Sequence, residues 1–230
     1  FKYLVANRGR RVAKDQLIEV LWPECEPGAA SANLKAAAHL LRRTLALGLD
    51  GVDTGIVSRC LYVVFADGTY AIDPRVSMWV DAEEFERLWV EGRRLERGGK
   101  EAEAARTYEV AEALYQGDYM EDDPYDEWTI SRREALKDAY LLILIKLARR
   151  KLNTGANEDC ILYCQGILAR DPCNEDAYRM LMQCHSRLGQ RSRAMYWHEA
   201  CAKALRDAFD VSAEDETRAL YGRLRLGETI

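Results

Sequence analysis

The sequence predicts a mainly α-helical protein in two parts: a small head carrying one β-hairpin and a longer, wholly helical body. Three observations predict it. Two short amphipathic segments flank a Trp22-Pro23 corner. Residues 61–73 then hold two β-rich runs around a tight turn, and from Asp81 onward helical periodicity recurs with glycines at the joints.

Taken in order, residues 1–5 (Phe-Lys-Tyr-Leu-Val) read as the tail of a helix whose beginning lies upstream. Lys14–Leu21 places Leu17, Ile18 and Leu21 on one face. Pro23 ends this segment, because proline disfavours the helical region for its predecessor. A second helix starts at Pro27 or Gly28 and keeps Leu34, Ala38, Leu41 and Leu45 at helical spacing, with Lys35, His39, Arg42 and Arg43 on its other side. Leu17, Leu21, Leu34, Leu41 and Leu45 are expected in one core. Residues 61–65 and 69–73 flank Ala66-Asp67-Gly68, a hairpin pattern. Helix, turn, basic helix and hairpin outline a winged helix, a shape that most often binds DNA.

A boundary near Asp73-Pro74-Arg75 divides a head of residues 1–76 from a body of residues 77–230. The body reads as helices over 81–98, 101–115, 126–153, 158–170, 175–188, 191–206 and 214–226. The longest apolar run, residues 139–145, reads as a buried helix centre. Gly155 and Gly189 stand 34 residues apart, each between two helices. Cys160 and Cys164 follow the first glycine at the offsets at which Ala194 and His198 follow the second, with Cys201 beyond. Gly99, with Ala104, Tyr108 and Ala111, repeats the pattern. A 34-residue helix-turn-helix with small residues in its seam and a closing Asp171-Pro172 is the tetratricopeptide pattern. Small side chains sit where helices cross, and aromatics fill the gaps between units.

At 230 residues the chain is long enough for two domains, and no apolar run reaches the roughly 18 residues that a membrane span needs. The net charge of −5 is uneven. Residues 1–80 hold 10 Lys and Arg against 8 Asp and Glu, and the remainder holds 23 against 30. Any nucleic-acid footprint is therefore expected in the head. Seven cysteines without a Cys-x-x-Cys pair predict free thiols. Cys160 and Cys164 share a helix face, but no second ligand pair at metal spacing follows. There is no phosphate-binding glycine loop and no His-x-x-x-His motif, so neither catalytic residues nor cofactor are expected. His39 faces either DNA or solvent, while His185 and His198 occupy packing seams. Residues 121–127 (Glu-Asp-Asp-Pro-Tyr-Asp-Glu) read as a solvated loop ahead of a helix whose dipole favours the last acids. The five tryptophans fall at apolar positions of helices or at their ends.

Several motifs together resemble the SARP-type bacterial regulators. In the head these are Gly9-Arg10-Arg11-Val12, Lys14-Asp15-x-Leu17, Leu21-Trp22-Pro23, Ala30-x-x-Asn33-Leu34, Leu41-Arg42-Arg43-x-Leu45 and Gly68-x-Tyr70-x-Ile72-Asp73. In the body they are Trp79-Val80-Asp81-x-x-Glu84-Phe85, Tyr115-x-Gly117-Asp118-Tyr119, Trp128 with Arg132-Arg133, Ala169-Arg170-Asp171-Pro172 and Glu214-x-Glu216-Thr217-x-x-Leu220-Tyr221. The resemblance implies an OmpR-like winged helix, its leading sheet lying outside this sequence, followed by a bacterial transcriptional activator domain. It implies a cytoplasmic transcriptional activator that binds double-stranded DNA through residues 1–76. Residues 81–230 would bind a protein, RNA polymerase among the candidates, or self-associate. Residues 28–46 would be the recognition helix, with Lys35, His39 and Arg43 exposed, Arg42 toward the flank and Lys14 near a phosphate. Ala32, Ala36 and Leu40 share its exposed side without hydrogen-bonding groups for base edges. The alternative reading is a protein-interaction or signalling module that keeps the winged-helix shape without binding DNA.

Overall fold

The computed structural model describes residues 1–47, 62–228 and 230, and divides into two compact units, Phe1–Met78 and Trp79–Ile230. In the first unit, α1 (Lys2–Ala6) leads to a two-residue strand β1 (Val12–Ala13), α2 (Lys14–Leu21) and α3 (Pro27–Leu47). Strands β2 (Val63–Ala66) and β3 (Thr69–Ile72) follow, giving an antiparallel sheet in the order β1-β3-β2. Ala66 pairs with Thr69 around Asp67 and Gly68, both at positive φ (51° and 72°), as a two-residue primed turn requires. The expected hairpin is present. Leu61, assigned to its first strand from sequence, lies outside the described residues.

The head's core is built from Tyr3, Leu4, Val12, Leu17, Ala30, Leu34, Ala38, Val63, Tyr70 and Ile72. Leu17 and Leu34 are buried as expected, and Leu41 and Leu45 are half-buried. Leu21 corrects the expectation at 45% exposed. It ends α2, and Trp22, at φ −147° and ψ 61°, turns the chain away before that face can be covered.

The second unit contains α4 (Asp81–Arg97), α5 (Glu101–Leu114), α6 (Glu127–Asn153), α7 (Asn157–Arg170), α8 (Glu175–Arg187), α9 (Arg191–Phe209) and α10 (Asp215–Arg225). The pairs α4–α5, α6–α7 and α8–α9 close in the same way. Gly99, Gly155 and Gly189 take φ of 72°, 78° and 71°. The next amide, of Lys100, Ala156 or Gln190, donates back to the carbonyl of Leu95, Lys151 or His185. This is the Schellman closure, in which a left-handed glycine lets the chain satisfy carbonyls left over at a helix end. Five residues after each glycine, Ala104, Cys160 and Ala194 are buried in the seam; nine after, so are Tyr108 and Cys164, with His198 half-buried. Twelve after, Ala111, Ile167 and Cys201 complete it.

Helix α6 is the spine of this unit, burying Leu136, Tyr140, Ile143, Leu144, Leu147 and Leu152. The apolar run at its centre is amphipathic rather than wholly buried, for Leu142 points outward at 46% exposure. Trp79 lies at a helix end as expected, just ahead of α4, and is 68% exposed.

Gly92 of α4 is where backbone and ring meet most closely. A Cβ there would stand 2.3 Å from Cε1 of Tyr108. That ring is 2% exposed and its hydroxyl donates to Glu96 at 3.1 Å, so it has little room to retreat. Helix propensity alone would make Gly92→Ala stabilising by up to about 1 kcal/mol. Overpacking of about 1–3 kcal/mol opposes it. The variant is expected to lower the urea midpoint; a rise would show that Tyr108 shifts freely.

Candidate nucleic-acid interface

Helix α3 is held by a narrow strip. Ala30, Leu34 and Ala38 are buried along it, and Leu41 and Leu45 continue the strip half-buried. The opposite arc is open, with Ala32, Asn33, Lys35, Ala36, Ala37, His39, Leu40 and Arg43 all exposed. Lys35, His39 and Arg43 follow one another at four-residue spacing, so they line one side of the helix over about 12 Å. Ala32 and Ala36 sit beside them, and Leu40 stands out at 63% exposure.

The remaining site residues are placed less simply. Arg42 is half-buried, and its Nε donates to the Val63 carbonyl at 2.8 Å, bracing α3 against β2. Lys14 is half-buried at the start of α2, and its backbone amide donates to the Gly68 carbonyl at 2.9 Å. That bond seats the N-terminus of α2 against the hairpin turn. Sequence reasoning passed over Arg11, whose Nε donates to Thr69 Oγ1 at 2.9 Å and whose guanidinium also reaches the Ala66 carbonyl. Asp67 lies 3.8 Å from the same group, so the acid at the turn is offset by a cation. The only trace of this in the sequence is the Arg10-Arg11 pair ahead of β1. At the far end of β3, the Arg75 guanidinium grips the buried Asp73 carboxylate and holds it down to about 2.

The body's motif residues are structural ties. Arg132 pairs with Glu86 at 2.9 Å and lies over the Tyr119 ring, 5.0 Å from its centroid. Arg133 donates to the carbonyls of Tyr119, Met120, Asp123 and Pro124 and to Thr129 Oγ1. The acidic loop is thus folded around one guanidinium. Thr217 donates to Glu175 at 2.6 Å, and Arg179 bridges Asp176 and Glu214, fixing α10 against α8. His185 is buried with Nδ1 2.7 Å from Gln190 Oε1, and His198 stacks on Tyr221 with centroids 3.8 Å apart. Burial lowers the pKa of His198.

Cys160, Cys164, Cys184 and Cys201 are buried free thiols, Cys173 is half-buried and Cys25 is exposed. Cys160 and Cys164 stand 3.9 Å apart, and the Cys164 contact together with burial pushes Cys160 up to about 12. Burial does the same for Cys201. Among the described residues, no group of three His, Cys, Asp or Glu side chains is placed to hold a metal. No described helix is long and apolar enough to cross a membrane.

A winged-helix head with an open basic helix, joined to a body of helical repeats, has the architecture of a transcriptional regulator. The chain belongs to the bacterial transcriptional activator domain family, whose characteristic sequence matches residues 80–225. It is 24% identical over 221 residues to the transcriptional regulatory protein MoaR1 of Mycobacterium tuberculosis, covering 96% of this chain and 69% of that protein. It is 25% identical over 196 residues to the regulatory protein DnrI of Streptomyces peucetius, covering 85% and 71%. Its fold matches that of Mycobacterium tuberculosis EmbR, solved in complex with a low-affinity phosphopeptide, at a TM-score of 0.73 and 22% identity. That match takes in 99% of this chain and 58% of the EmbR chain. The resemblance to SARP-type regulators stands on these findings, as does the mainly helical fold that it implied.

Proposed function

We propose that the head, residues 1–76, binds double-stranded DNA with α3 in the major groove, and that the body, residues 77–230, is the module through which this cytoplasmic activator meets proteins. The observation that carries the DNA reading is the open arc of α3 opposite a narrow buried strip, with Lys35, His39 and Arg43 along it. Lys14 is tied to the β2–β3 turn by its amide bond to the Gly68 carbonyl. Lys35, Arg43 and Lys14 meet phosphates, and His39 lies at the groove edge. Arg42 holds α3 at its angle to the hairpin. Base edges are read mainly by groups that hydrogen-bond, and the alanines beside Lys35 offer only methyls. Phosphate neutralisation therefore dominates the affinity.

The net charge of the body, near −7, disfavours a second DNA contact there. Its stacked helical pairs present grooved surfaces suited to a protein segment; RNA polymerase is one candidate.

Titrating duplex DNA at several salt concentrations tests the head. Lys35→Ala and Arg43→Ala should each weaken binding to specific and random duplexes alike and lower the salt slope by about one. Unchanged slopes in both would show that this face does not meet the backbone.

A further inference from the structure

An α-helix turns by about 100° per residue. With Leu34 at the centre of the buried strip of α3, Arg43 stands about 180° away, at the summit of the open arc. Lys35 and His39 lie on one slope, about 100° and 140° from Leu34. Ala36 and Leu40 lie on the other, about 160° and 120° from it. The open arc is therefore two-sided, basic on one slope and apolar on the other. All five side chains are exposed, Leu40 at 63%.

Phosphate contacts use the basic slope and leave the apolar one without a task. A helix about 10–12 Å across fills a major groove about 12 Å wide, so the slope away from Lys35 faces base edges. Those edges carry hydrogen-bonding groups and a single apolar one, the C5-methyl of thymine. A hydrogen-bonding edge set against Leu40 would give up water for no partner, which is unfavourable. A methyl set there loses no hydrogen bond and removes apolar surface from water. The spacing agrees. Ala36 and Leu40 are four residues apart, about 6 Å along the helix. Bases two steps apart on one strand are separated by roughly 6.8 Å. The short side chain of Ala36 also lets the helix backbone sit close to the groove floor.

On the reading of α3 as the helix that enters the major groove, we infer that Leu40, seconded by Ala36, selects the DNA sequence by contact with the C5-methyl groups of thymines two steps apart. Affinity and choice are then divided between the slopes. Lys35 and Arg43 draw in any duplex, because phosphates are the same in every sequence. Leu40 favours sites that present a methyl and disfavours those that present an amino or carbonyl group in its place. The preferred partner is duplex DNA with closely spaced thymines, read without a hydrogen bond at these positions.

Removing the methyl alone tests it. The whole chain is titrated with duplexes of alternating dA and dT, and with the same duplexes carrying deoxyuridine for thymidine. That exchange keeps every hydrogen-bonding group of the base pair and deletes only the C5-methyl. Alternating sequence sets thymines two steps apart along each strand. The unaltered chain should bind the thymine duplex at least about fourfold more tightly, the worth of one buried methyl. An alternating dG and dC duplex should gain by a similar factor when its cytosines carry a methyl at C5. Leu40→Ala should bring the thymine and uracil duplexes to within about twofold of each other. Alanine is the best helix former, so α3 is retained in that variant. Equal binding of the thymine and uracil duplexes by the unaltered chain overturns the proposal and leaves α3 to phosphate contacts. A Leu40→Ala variant that weakens both duplexes alike and keeps their ratio also overturns it, since a merely structural role acts in that way. A chain that binds none of these duplexes overturns the DNA reading of the head as well.

Discussion

Trp197→Ala should destabilise the body by about 3–5 kcal/mol, the range for deleting a large aromatic from a core. Trp197 packs against each of the three clusters that make up the body's interior. One contains α6 and its neighbours, one Tyr178, Cys201 and Leu205, and one Met182, Leu220 and Leu224. Its ring stands 6.2 Å from that of Tyr178 and 5.4 Å from that of Tyr196. Yet its indole Nε1 is buried without a hydrogen-bond partner among the described residues. A donor left unpaired in the interior costs about 1–3 kcal/mol. Trp197→Phe removes that donor while keeping most of the apolar volume, so its net cost should stay near 1 kcal/mol, the two terms nearly offsetting. Urea unfolding followed by circular dichroism separates the cases. Equal losses for the two variants would show that the N–H is satisfied in solution, and a loss under about 1 kcal/mol for alanine would show that the ring does not join the clusters.

The second large effect is expected at Arg133. Its guanidinium donates to four carbonyls between Tyr119 and Pro124, and Met120 in that stretch is held at φ 53°, a conformation that few side chains favour. Alanine at 133 would leave those carbonyls to solvent and release the loop, at about 2–3 kcal/mol for bonds to a charged donor. Local opening should then rise roughly 30- to 150-fold. Cleavage by a protease specific for glutamate, at Glu121 and Glu127, reads this directly. Arg133→Lys keeps the charge but lacks the planar fork, so it should be cut nearly as fast. A wild-type cleavage rate in both variants would mean that the loop is held by something other than this guanidinium.

Much of this architecture is written in local patterns. The helix joints could be placed because a left-handed glycine and a change of periodic face coincide at Gly99, Gly155 and Gly189. The open face of α3 was visible because four-residue spacing separates Lys35, His39 and Arg43 from Leu34 and Ala38. Strand β1 was not, since two residues have no alternation and Val12 becomes a strand only by pairing with Tyr70. The same limit hid the arginines. Arg42 looks like a flank residue of a basic helix until Val63, 21 residues on, presents a carbonyl to it. Arg11 finds its partners 55 and 58 residues away. Long side chains choose partners in space, and periodicity carries no record of that choice. Leu21 and Leu142 fail for the converse reason: apolarity marks what can be covered, whereas neighbouring elements decide what is.

The three glycine joints also bear on how fast this half of the molecule assembles. Each is closed by bonds that span no more than six residues, so no distant segment has to arrive before a hairpin can form. Loop closure over so short a stretch takes roughly 10–100 ns, and chains dominated by near-neighbour contacts cross their folding barrier quickly. During synthesis the α4–α5 hairpin leaves the ribosome first and has within itself everything needed to close. The later pairs then add to a template already standing, and α6 covers the apolar face that the first hairpin leaves open.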